Sequence, residues 1–583
     1  MTFSWRASAL ALLLPLALIA CRSERLKTPL SLLETQTVEG RLARTGALTS
    51  GSDTRPALLE SARYRVRLPR RALLTFATGL SYAGEIEPPG WYRLTVRAGD
   101  RVLADKRLNP RVARGFRDVG VSLEGLGSDV TLEFDVRLAD GSDRTIETPR
   151  DLLTGVAEPT IHDLDAYGKS RGIVLVSIDT LRRDHVGAYG YPKPTTPRLD
   201  ALARQGLLAE DAVSPSSWTL PSHISLLTST DPAVHGGIDM KHGFNRRVPS
   251  LARTLREAGY AAQAVTSHLY VSGVYGLDDG FDHLDFHQDR VATDVAERAI
   301  SLLDRFGDRP FFLVLHFYDP PWHYDPPEAQ RKLFDTGYTG PLTGVWRQFK
   351  DKTRQSTTPA ELQHILALYD GEIRYVDDEL GRVLDHMKTR GLDAGTLLVV
   401  TSDHGEEFLD HGSWEHQKTL YEEVVRVPLV VTGPGVGPRR EPAQTSLLDV
   451  CPTVLAWAGL PPQPSHAGRS LLAALPERDA YGETEHTADG TSRLFLRGGA
   501  GRWKTILSLD RASGEPRKEE WYDLRADPAE QRDARPRVEV ADAIRKRALG
   551  RWRDGRARGV GAPAVELTPE QRERLRALGY VGS

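Results

Sequence analysis

Two patterns of hydrophobic and polar residues divide the chain at about residue 171. Before this point, segments such as 91–96 and 130–136 alternate apolar and polar side chains, and turn residues separate them. Alternation with a period of two is typical of strands that have one buried face. Several such strands in succession predict a small β-sandwich over residues 61–160.

A different pattern begins after residue 171. Nearly continuous apolar runs occur at 173–178, 311–315, 397–400 and 427–431. Such runs are typical of strands that are buried on both faces of a parallel sheet. Helical stretches lie between them, including Pro197–Gln205, which Gly206 ends, and the long stretch 360–387. Strands that alternate with helices predict an α/β domain with a parallel-dominated central sheet.

The first twenty residues have the features of a secretory signal peptide. Arg6 precedes an apolar stretch at 9–20 that is too short to span a bilayer. The Leu-Ile-Ala sequence at 18–20, followed by Cys21, resembles the lipobox of bacterial lipoproteins, in which the cysteine is acylated. A plain signal peptide with an incidental cysteine is the alternative. The resemblance predicts a lipid anchor on Cys21, a tether and first strand over 21–60, and a location in the bacterial cell envelope, on its periplasmic or extracellular side.

Composition excludes several classes of protein. The chain has 76 Lys+Arg and 79 Asp+Glu residues, a net charge of −3. It therefore lacks the basic excess that neutralises nucleic-acid phosphates, and we expect no nucleic-acid partner. The two cysteines, Cys21 and Cys451, exclude a disulfide scaffold and a zinc site built from cysteines.

Side chains that suit a metal site follow the predicted buried strands. Asp179 follows the first apolar run, and His316 and Asp319 follow the second. Asp403 and His404 follow the third. Because ligands bind beyond the carboxyl ends of parallel strands, we expect these side chains to meet at one edge of the sheet. Carboxylates and imidazoles in that place suit a divalent metal ion.

A hydroxyl group lies in a suitable context for nucleophilic chemistry. Thr219 is followed by Pro221, which favours the first turn of a helix. The N-terminus of a helix carries free N–H groups and partial positive charge, and it attracts tetrahedral oxyanions. A metal that lowers the pKa of the Thr219 hydroxyl would make it a nucleophile.

Several ordered motifs resemble those of the sulfatase family, in the alkaline phosphatase superfamily. They lie at 177–191, 195–203, 219–223, 401–406, 418–423, 448–453 and 521–528. The resemblance covers residues 171 to about 530 and keeps the family's order along the chain. It implies an alkaline-phosphatase-like α/β catalytic domain over 168–475, and a C-terminal subdomain with a helical tail over 476–583.

The resemblance also implies roles for individual residues. The implied metal ligands are Asp179, Asp403 and His404, together with the nucleophile Thr219. Lys418 is the implied cation that binds the substrate's oxyanion.

Three histidines complete the implied site. His268 resembles an active-site histidine of the family, and a satisfied loop histidine is the alternative. Either His316 or His323 would stabilise charge or protonate the leaving group.

Departures from the family pattern bear on the reaction. Sulfate-ester hydrolases of the family convert a Cys or Ser at the nucleophile position to formylglycine, and Thr219 cannot form that aldehyde, so no formylglycine is expected. Related phosphodiesterases and phosphoethanolamine transferases use Thr. His223 replaces an Arg of the family and is an implied substrate-binding residue. Thr180 replaces an Asp, which weakens an oxygen-only calcium cage, so calcium, zinc and manganese all remain candidates.

A second metal site is one interpretation of the segment after the second buried strand. Relatives with this Thr motif often have a His where Pro321 stands, and His323 follows two places later. Asp319 and His323 could form half of a second metal site, completed by His416 or His411. The alternatives are that His323 takes over the role of the missing His, or that activity is damaged.

These features predict a metal-dependent hydrolase of sulfate or phosphate esters. One alternative is a phosphodiesterase or phosphoethanolamine-type transferase that uses two metals. The other is a non-catalytic binding protein of the cell envelope on a sulfatase fold.

Overall fold

The computed structural model describes residues 30–50, 53–82, 91–108, 117–140, 142, 144–147, 152–167, 172–319, 323–485 and 489–577. The predicted signal peptide, Cys21 and Pro321 lie outside the described residues. Among the described helices, none combines the length and apolar character that crossing a bilayer requires.

The N-terminal part consists of two antiparallel sheets. Their strands are β1 (Leu30–Ser31), β2 (Thr45–Ser50), β3 (Asp53–Leu58), β4 (Ala62–Arg67), β5 (Ala72–Tyr82), β6 (Trp91–Ala98), β7 (Arg101–Leu108), β8 (Arg117–Ser122), β9 (Asp129–Ala139) and β10 (Leu152–Asp163). One sheet has the order β2-β3-β10-β5-β8, with β1 beside β10, and the other has the order β4-β9-β6-β7. Phe76 and Phe134 meet edge to face at 6.3 Å in the core between the sheets.

The segment before residue 60 contains more structure than the sequence predicts. Three strands, β1, β2 and β3, lie where we expect a tether and one strand. β3 pairs with both β2 and β10, and β1 also pairs with β10. The segment is rich in Gly, Ser and Thr, so its local signal is weak, and pairing with the distant strand β10 decides its conformation.

The second part alternates strands and helices, as predicted. Its strands are β11 (Gly172–Ile178), β12 (Leu207–Val213), β13 (Ala261–Thr266), β14 (His283–Phe286), β15 (Phe311–Phe317), β16 (Thr396–Ser402), β17 (Glu407–Phe408), β18 (Trp414–Glu415), β19 (Arg426–Val427), β20 (Leu429–Thr432) and β21 (Arg439–Ser446). Its helices are α1 (Pro197–Gln205), α2 (Thr219–Thr228), α3 (Pro232–His235), α4 (Leu251–Glu257), α5 (Ala292–Phe306), α6 (Glu328–Leu333), α7 (Pro359–Thr389), α8 (Glu422–Val425) and α9 (Val450–Trp457).

The central sheet has the order β14-β13-β15-β11-β16-β20-β12-β19, with β21 beside β12. The five strands from β14 to β16 are mutually parallel, whereas β20 is antiparallel to β16. The α/β fold with a parallel-dominated sheet is therefore confirmed. In the register, Ile178 lies between Phe317 and Ser402. The loops that follow β11, β15 and β16 therefore begin side by side.

The C-terminal part adds a four-stranded antiparallel sheet and two helices. These are β22 (Ala480–Thr484), β23 (Thr491–Gly498), β24 (Trp503–Asp510), β25 (Pro516–Asp523), α10 (Val538–Arg558) and α11 (Pro569–Ala577). Lys504 on β24 is fully buried and pairs with Glu422 at 3.0 Å and with Glu530 at 2.9 Å. The C-terminal sheet is thereby tied to the segment that contains the predicted site residue Lys418.

Candidate active site

The ends of the three central strands place four of the predicted site residues together. Asp179 directly follows β11, and Asp403 and His404 directly follow β16. His316 is the last residue but one of β15, which lies on the other side of β11. All four side chains are buried. The aligned strand ends therefore produce the cluster that the sequence predicts at this edge of the sheet.

Asp179, Asp403 and His404 form a group with the geometry of a metal site. His404 Nε2 lies 3.3 Å from Asp403 Oδ2 and 3.6 Å from Asp179 Oδ1. Each of the three offers a ligand atom within 4.8 Å of the others. Both Asp179 carboxylate oxygens and Asp403 Oδ2 are buried without a hydrogen-bond partner among the protein atoms. Buried carboxylate oxygens usually pair or coordinate a metal, so these residues fit a bound divalent cation.

The protonation states in this cluster reflect burial. Burial raises the pKa of Asp179 to about 7, and burial together with the Asp179 charge raises the pKa of Asp403 to about 7. Burial lowers the pKa of His404 to about 4. At neutral pH the imidazole is therefore neutral and has a free electron pair for a metal or a proton.

Thr219 is the first residue of α2, as its local sequence predicts. Its hydroxyl oxygen lies 3.3 Å from His404 Nε2. His404 Nδ1 lies 2.9 Å from the carbonyl oxygen of Gly405 and donates a hydrogen bond to it, which leaves Nε2 unprotonated and facing Thr219. The helix start thus places a hydroxyl, free of bulk solvent, beside the metal-type cluster.

His223 lies one turn further along α2 and is also in the cluster. Its Nδ1 donates a hydrogen bond to the Thr219 carbonyl oxygen at 2.8 Å and lies 3.5 Å from Asp403 Oδ2. Its ring packs edge to face against His316 at 4.9 Å. His316 Nε2 lies 3.5 Å from Asp179 Oδ2. Burial lowers the pKa of both His223 and His316 to about 4, so neither carries a positive charge at neutral pH.

His268 follows β13, the strand next to β15, and is buried in the same region. Its Nδ1 accepts a hydrogen bond from the Tyr270 backbone at 3.2 Å, and its ring packs against Tyr270 and Tyr318. Burial, followed by the neighbouring imidazoles of His316 and His416, lowers its pKa well below the ordinary value. The structure therefore brings His268 close to the cluster but surrounds it with tyrosine rings.

Lys418 does not lie in the cluster. Its side chain is 53% exposed, and its ammonium group pairs with Glu415 at 2.9 Å. Lys418 would have to leave Glu415 to contact an ester in the cluster, and the structure does not show the oxyanion contact that the resemblance implies.

The predicted second metal set is not brought together. Asp319 accepts a hydrogen bond from the backbone N–H of Ala292 at the start of α5. His323 is exposed, and its Nδ1 accepts from the Trp346 backbone at 2.9 Å. His416 Nδ1 lies 3.1 Å from Glu406. Since each of the three has a separate structural partner, they form no metal-type group within the described residues.

His411, the alternative completing residue, is also engaged elsewhere. Its Nδ1 lies 2.7 Å from Glu423 and its Nε2 lies 3.0 Å from the Glu530 carbonyl oxygen. Burial lowers its pKa, but the hydrogen bond and charge of Glu423 outweigh burial and raise the pKa to about 9. His411 therefore belongs to an ion pair outside the cluster.

Glu406 is a residue of this region that the sequence reasoning missed. It is fully buried, bonds His416, and accepts a hydrogen bond from Tyr324 at 3.4 Å. The His416 ring packs at 4.3 Å against His404. The signal was its position two residues after His404, in the motif at 401–406.

Comparison with known proteins agrees with this arrangement. A protein-family model described as Sulfatase matches residues 171–460. These residues belong to the sulfatase family. The matched range contains the whole central sheet and every residue of the cluster, so the family and the geometry point to the same site.

Individual relatives support the assignment. The arylsulfatase of Clostridium perfringens is 24% identical over 436 residues, which cover 61% of this chain and 89% of that protein. Human N-sulphoglucosamine sulphohydrolase is 31% identical over 327 residues, which cover 50% of this chain and 63% of that protein. The solved structure of the phosphonate monoester hydrolase of Agrobacterium radiobacter has a TM-score of 0.55 at 19% identity. The match covers 66% of this chain and 96% of that chain, and it shows that the two share a fold.

The chain is a sulfatase-like hydrolase. Enzymes of the sulfatase family bind a divalent metal, and the group formed by Asp179, Asp403 and His404 fits one.

Proposed function

We propose that this sulfatase-like hydrolase cleaves phosphate or sulfate esters with Thr219 as its nucleophile and a divalent metal on Asp179, Asp403 and His404. One observation carries the proposal: the Thr219 hydroxyl oxygen lies 3.3 Å from His404 Nε2, inside the buried group that fits a metal. The proposed nucleophile is therefore in direct contact with a residue of the group that fits a metal, as nucleophilic catalysis by an activated hydroxyl requires.

The roles of the chain's own groups follow from their positions. A divalent cation, when bound, supplies positive charge that lowers the pKa of a neighbouring hydroxyl. The Gly405 carbonyl accepts from His404 Nδ1, so the Nε2 electron pair would be available to that cation, 3.3 Å from Thr219 Oγ1. The start of α2 presents backbone N–H groups and partial positive charge to an oxyanion beside Thr219.

Charge that develops on the leaving group needs a partner inside the cluster. His316 Nε2 lies 3.5 Å from Asp179 Oδ2, in the same buried cluster as His404. His316 rather than His323 would therefore stabilise that charge, because His323 is exposed and accepts a hydrogen bond from Trp346.

Phosphate esters suit a threonine nucleophile better than sulfate esters. Attack by an ordinary alkoxide leaves the transferred group covalently bound to Thr219, and water must then displace it. The formylglycine route, which releases sulfate by elimination, requires a side chain that Thr219 cannot become. The names of the relatives point toward sulfate esters instead.

Turnover by the purified chain with added divalent metals tests the proposal. Rates on an aryl phosphodiester, an aryl phosphate and an aryl sulfate should be compared for the natural protein, Thr219→Ala and Thr219→Ser. We expect Thr219→Ala to lose on the order of a thousandfold or more in kcat, as for removal of a nucleophile, and Thr219→Ser to retain turnover. Undiminished turnover by Thr219→Ala would exclude Thr219 as the nucleophile, and faster sulfate than phosphate cleavage would reverse the substrate preference.

We also propose that a lipid on Cys21 anchors the enzyme to the cell envelope. The support is the signal-like stretch at 9–20 and the lipobox resemblance that ends at Cys21. Such an anchor would hold the catalytic domain at a membrane surface, where its ester substrate would meet it.

A further inference from the structure

Two histidines of the cluster make a second group with Asp403. His223 on α2, His316 on β15 and Asp403 after β16 each offer one ligand atom within 4.8 Å of the others. The three side chains are buried, and they come from three different elements of the fold. The group is separate from the predicted second site at Asp319, His323 and His416, and it shares Asp403 with the first metal group.

The polar atoms of this group lack protein partners. His223 Nε2, both ring nitrogens of His316 and Asp403 Oδ2 are buried and accept or donate no hydrogen bond to the protein. Leaving a buried polar group unsatisfied destabilises the fold, and native proteins rarely accept several such groups in one place. His223 Nε2, one ring nitrogen of His316 and Asp403 Oδ2 are therefore available to bind a ligand.

The histidines are also held in a suitable orientation. The bond from His223 Nδ1 to the Thr219 carbonyl oxygen places the proton on Nδ1 and leaves the electron pair on Nε2. A backbone acceptor on the other nitrogen is the usual support of a metal-binding histidine. The edge-to-face packing at 4.9 Å fixes the rings of His223 and His316 relative to each other.

The local charge favours a cation. Asp179 and Asp403 are buried carboxylates, and in the described part of the chain their close ionisable partners are the histidines His223, His316 and His404. Arginine and lysine side chains do not pair with them there. One cation on the first group would balance two carboxylates, yet it would leave His223 and His316 unsatisfied.

We propose that His223, His316 and Asp403 bind a second divalent cation, with Asp403 bridging it to the cation held by Asp179 and His404. Two imidazoles and one carboxylate are the ligand set of zinc sites, so zinc is the cation of choice. Ligand atoms about 2.0–2.2 Å from zinc are at most roughly 4.4 Å apart. This limit is close to the 4.8 Å within which the three residues each offer a ligand atom.

The second cation deepens the proposed function and rests on it. His223 and Thr219 are one turn apart on α2, so a cation on His223 would lie beside the nucleophile. It would place a fixed positive charge next to an ester bound at Thr219, which neutral His223 and His316 do not supply. Paired cations in hydrolases stabilise the attacking and the leaving oxygen together.

Metal content of the purified full chain tests the second site directly. After saturation with zinc and removal of free metal, we expect two equivalents for the natural protein and one for His223→Asn and for His316→Asn. His404→Asn should also lose one equivalent, from the first site. His235→Asn is the matched control and should keep two zinc equivalents. His235 is buried on α3, and its two ring nitrogens are hydrogen-bonded to the Ser225 hydroxyl and the Gly237 N–H.

Two results would overturn the second site. One is a single equivalent in the natural protein at saturating zinc; the other is two equivalents in both His223→Asn and His316→Asn. If a variant does not fold, anomalous diffraction from zinc-soaked crystals of the natural protein decides, because two peaks support the site and one peak excludes it. One zinc equivalent together with Thr219-dependent turnover would refute only the second site. Two zinc equivalents without such turnover would refute only the role of Thr219 as nucleophile.

Discussion

At the scale of single residues, the cluster is a costly arrangement. Asp179 and Asp403 are buried with unpaired oxygens, and burial raises the pKa of each to about 7. A carboxyl group with a raised pKa destabilises the folded protein once it ionises. The site therefore gives up stability at carboxylates whose arrangement fits a metal ion.

Replacement of Asp179 by Asn should raise the stability of the metal-free protein. With EDTA present, the ordinary pKa of 3.8 and the folded value of about 7 make the wild type lose stability as pH rises from about 4 to 7. We expect Asp179→Asn to melt higher than the wild type at pH 8 and to show little difference at pH 4. Thermal melts in EDTA at pH 8 and pH 4 check this prediction. With added zinc at pH 8, the wild type should melt higher than Asp179→Asn. An Asp179→Asn protein that melts lower than the metal-free wild type at pH 8 would contradict it.

The sequence predicts some site residues better than others. Asp179, Asp403 and His404 were predictable because each directly follows a buried strand, and parallel strands end at one edge. The orientation of Lys418 was not, because the nearby Glu415 binds its ammonium group. Asp319 was not predictable either, because its partner is the backbone of Ala292, which lies 27 positions earlier in the chain.

At the scale of elements, α7 holds the loop that carries Asp179. The Tyr369 hydroxyl donates to the Thr180 carbonyl oxygen at 2.7 Å and accepts from the Arg182 N–H at 2.9 Å. Thr180 has a φ of 55°, a left-handed conformation that a threonine adopts only when its surroundings require it. The Thr180 N–H points to Asp403 Oδ1 at 3.3 Å, so this strained turn joins the two carboxylates.

Removal of the Tyr369 hydroxyl should affect both stability and turnover. Tyr369→Phe removes the hydroxyl that bonds the Thr180 carbonyl oxygen and the Arg182 N–H, and loss of a buried hydrogen-bond partner costs about 1–3 kcal/mol. We expect kcat to fall roughly tenfold, equivalent to about 1.4 kcal/mol, because the Asp179 turn loosens. Tyr275→Phe is the control: its hydroxyl bonds the Met240 carbonyl away from the cluster. It should lose stability with turnover unchanged, and equal loss of turnover in both variants would refute the role of α7.

The helices and the central strands were largely readable from the sequence, and the small elements were not. α1 has the predicted bounds, and α7 extends the predicted stretch by only a residue or two at each end. Strong periodicity, Pro at the first turn and the capping box of Thr358 and Glu361 explain that success. The strands β1 and β3 pair with β10, more than ninety residues away, and β2 pairs with β3, so local patterns do not encode this sheet.

At the scale of the whole molecule, the outer parts pack against the catalytic domain through buried charges. Glu158 of the β-sandwich lies between Arg55 and Arg305, the latter on α5, at 3.7 and 3.6 Å. Towards the C-terminus of the chain, Lys504 of the C-terminal sheet pairs with Glu422 on α8. Neither outer part is a loosely attached module.

Loss of the Lys504 charge should destabilise the whole chain. Lys504→Met leaves Glu422 and Glu530 buried without this cation, which costs about 3–5 kcal/mol for a broken buried pair. Lys518→Met is the control, since Lys518 is 66% exposed and its pair with Glu520 contributes at most about 1 kcal/mol. Denaturant unfolding compares the two. Similar stability of both variants would show that the buried pair does not support the docking of the C-terminal sheet.

The central claim is that Thr219 attacks the ester and becomes covalently modified. Its most direct test is mass spectrometry of the enzyme after acid quench during turnover of an aryl phosphodiester or aryl sulfate in the presence of zinc. We predict that the peptide containing Thr219 gains the mass of the transferred group, and that Thr219→Ser carries the same adduct on the serine. An adduct on a different residue, or turnover by Thr219→Ala at the wild-type rate, would contradict the account.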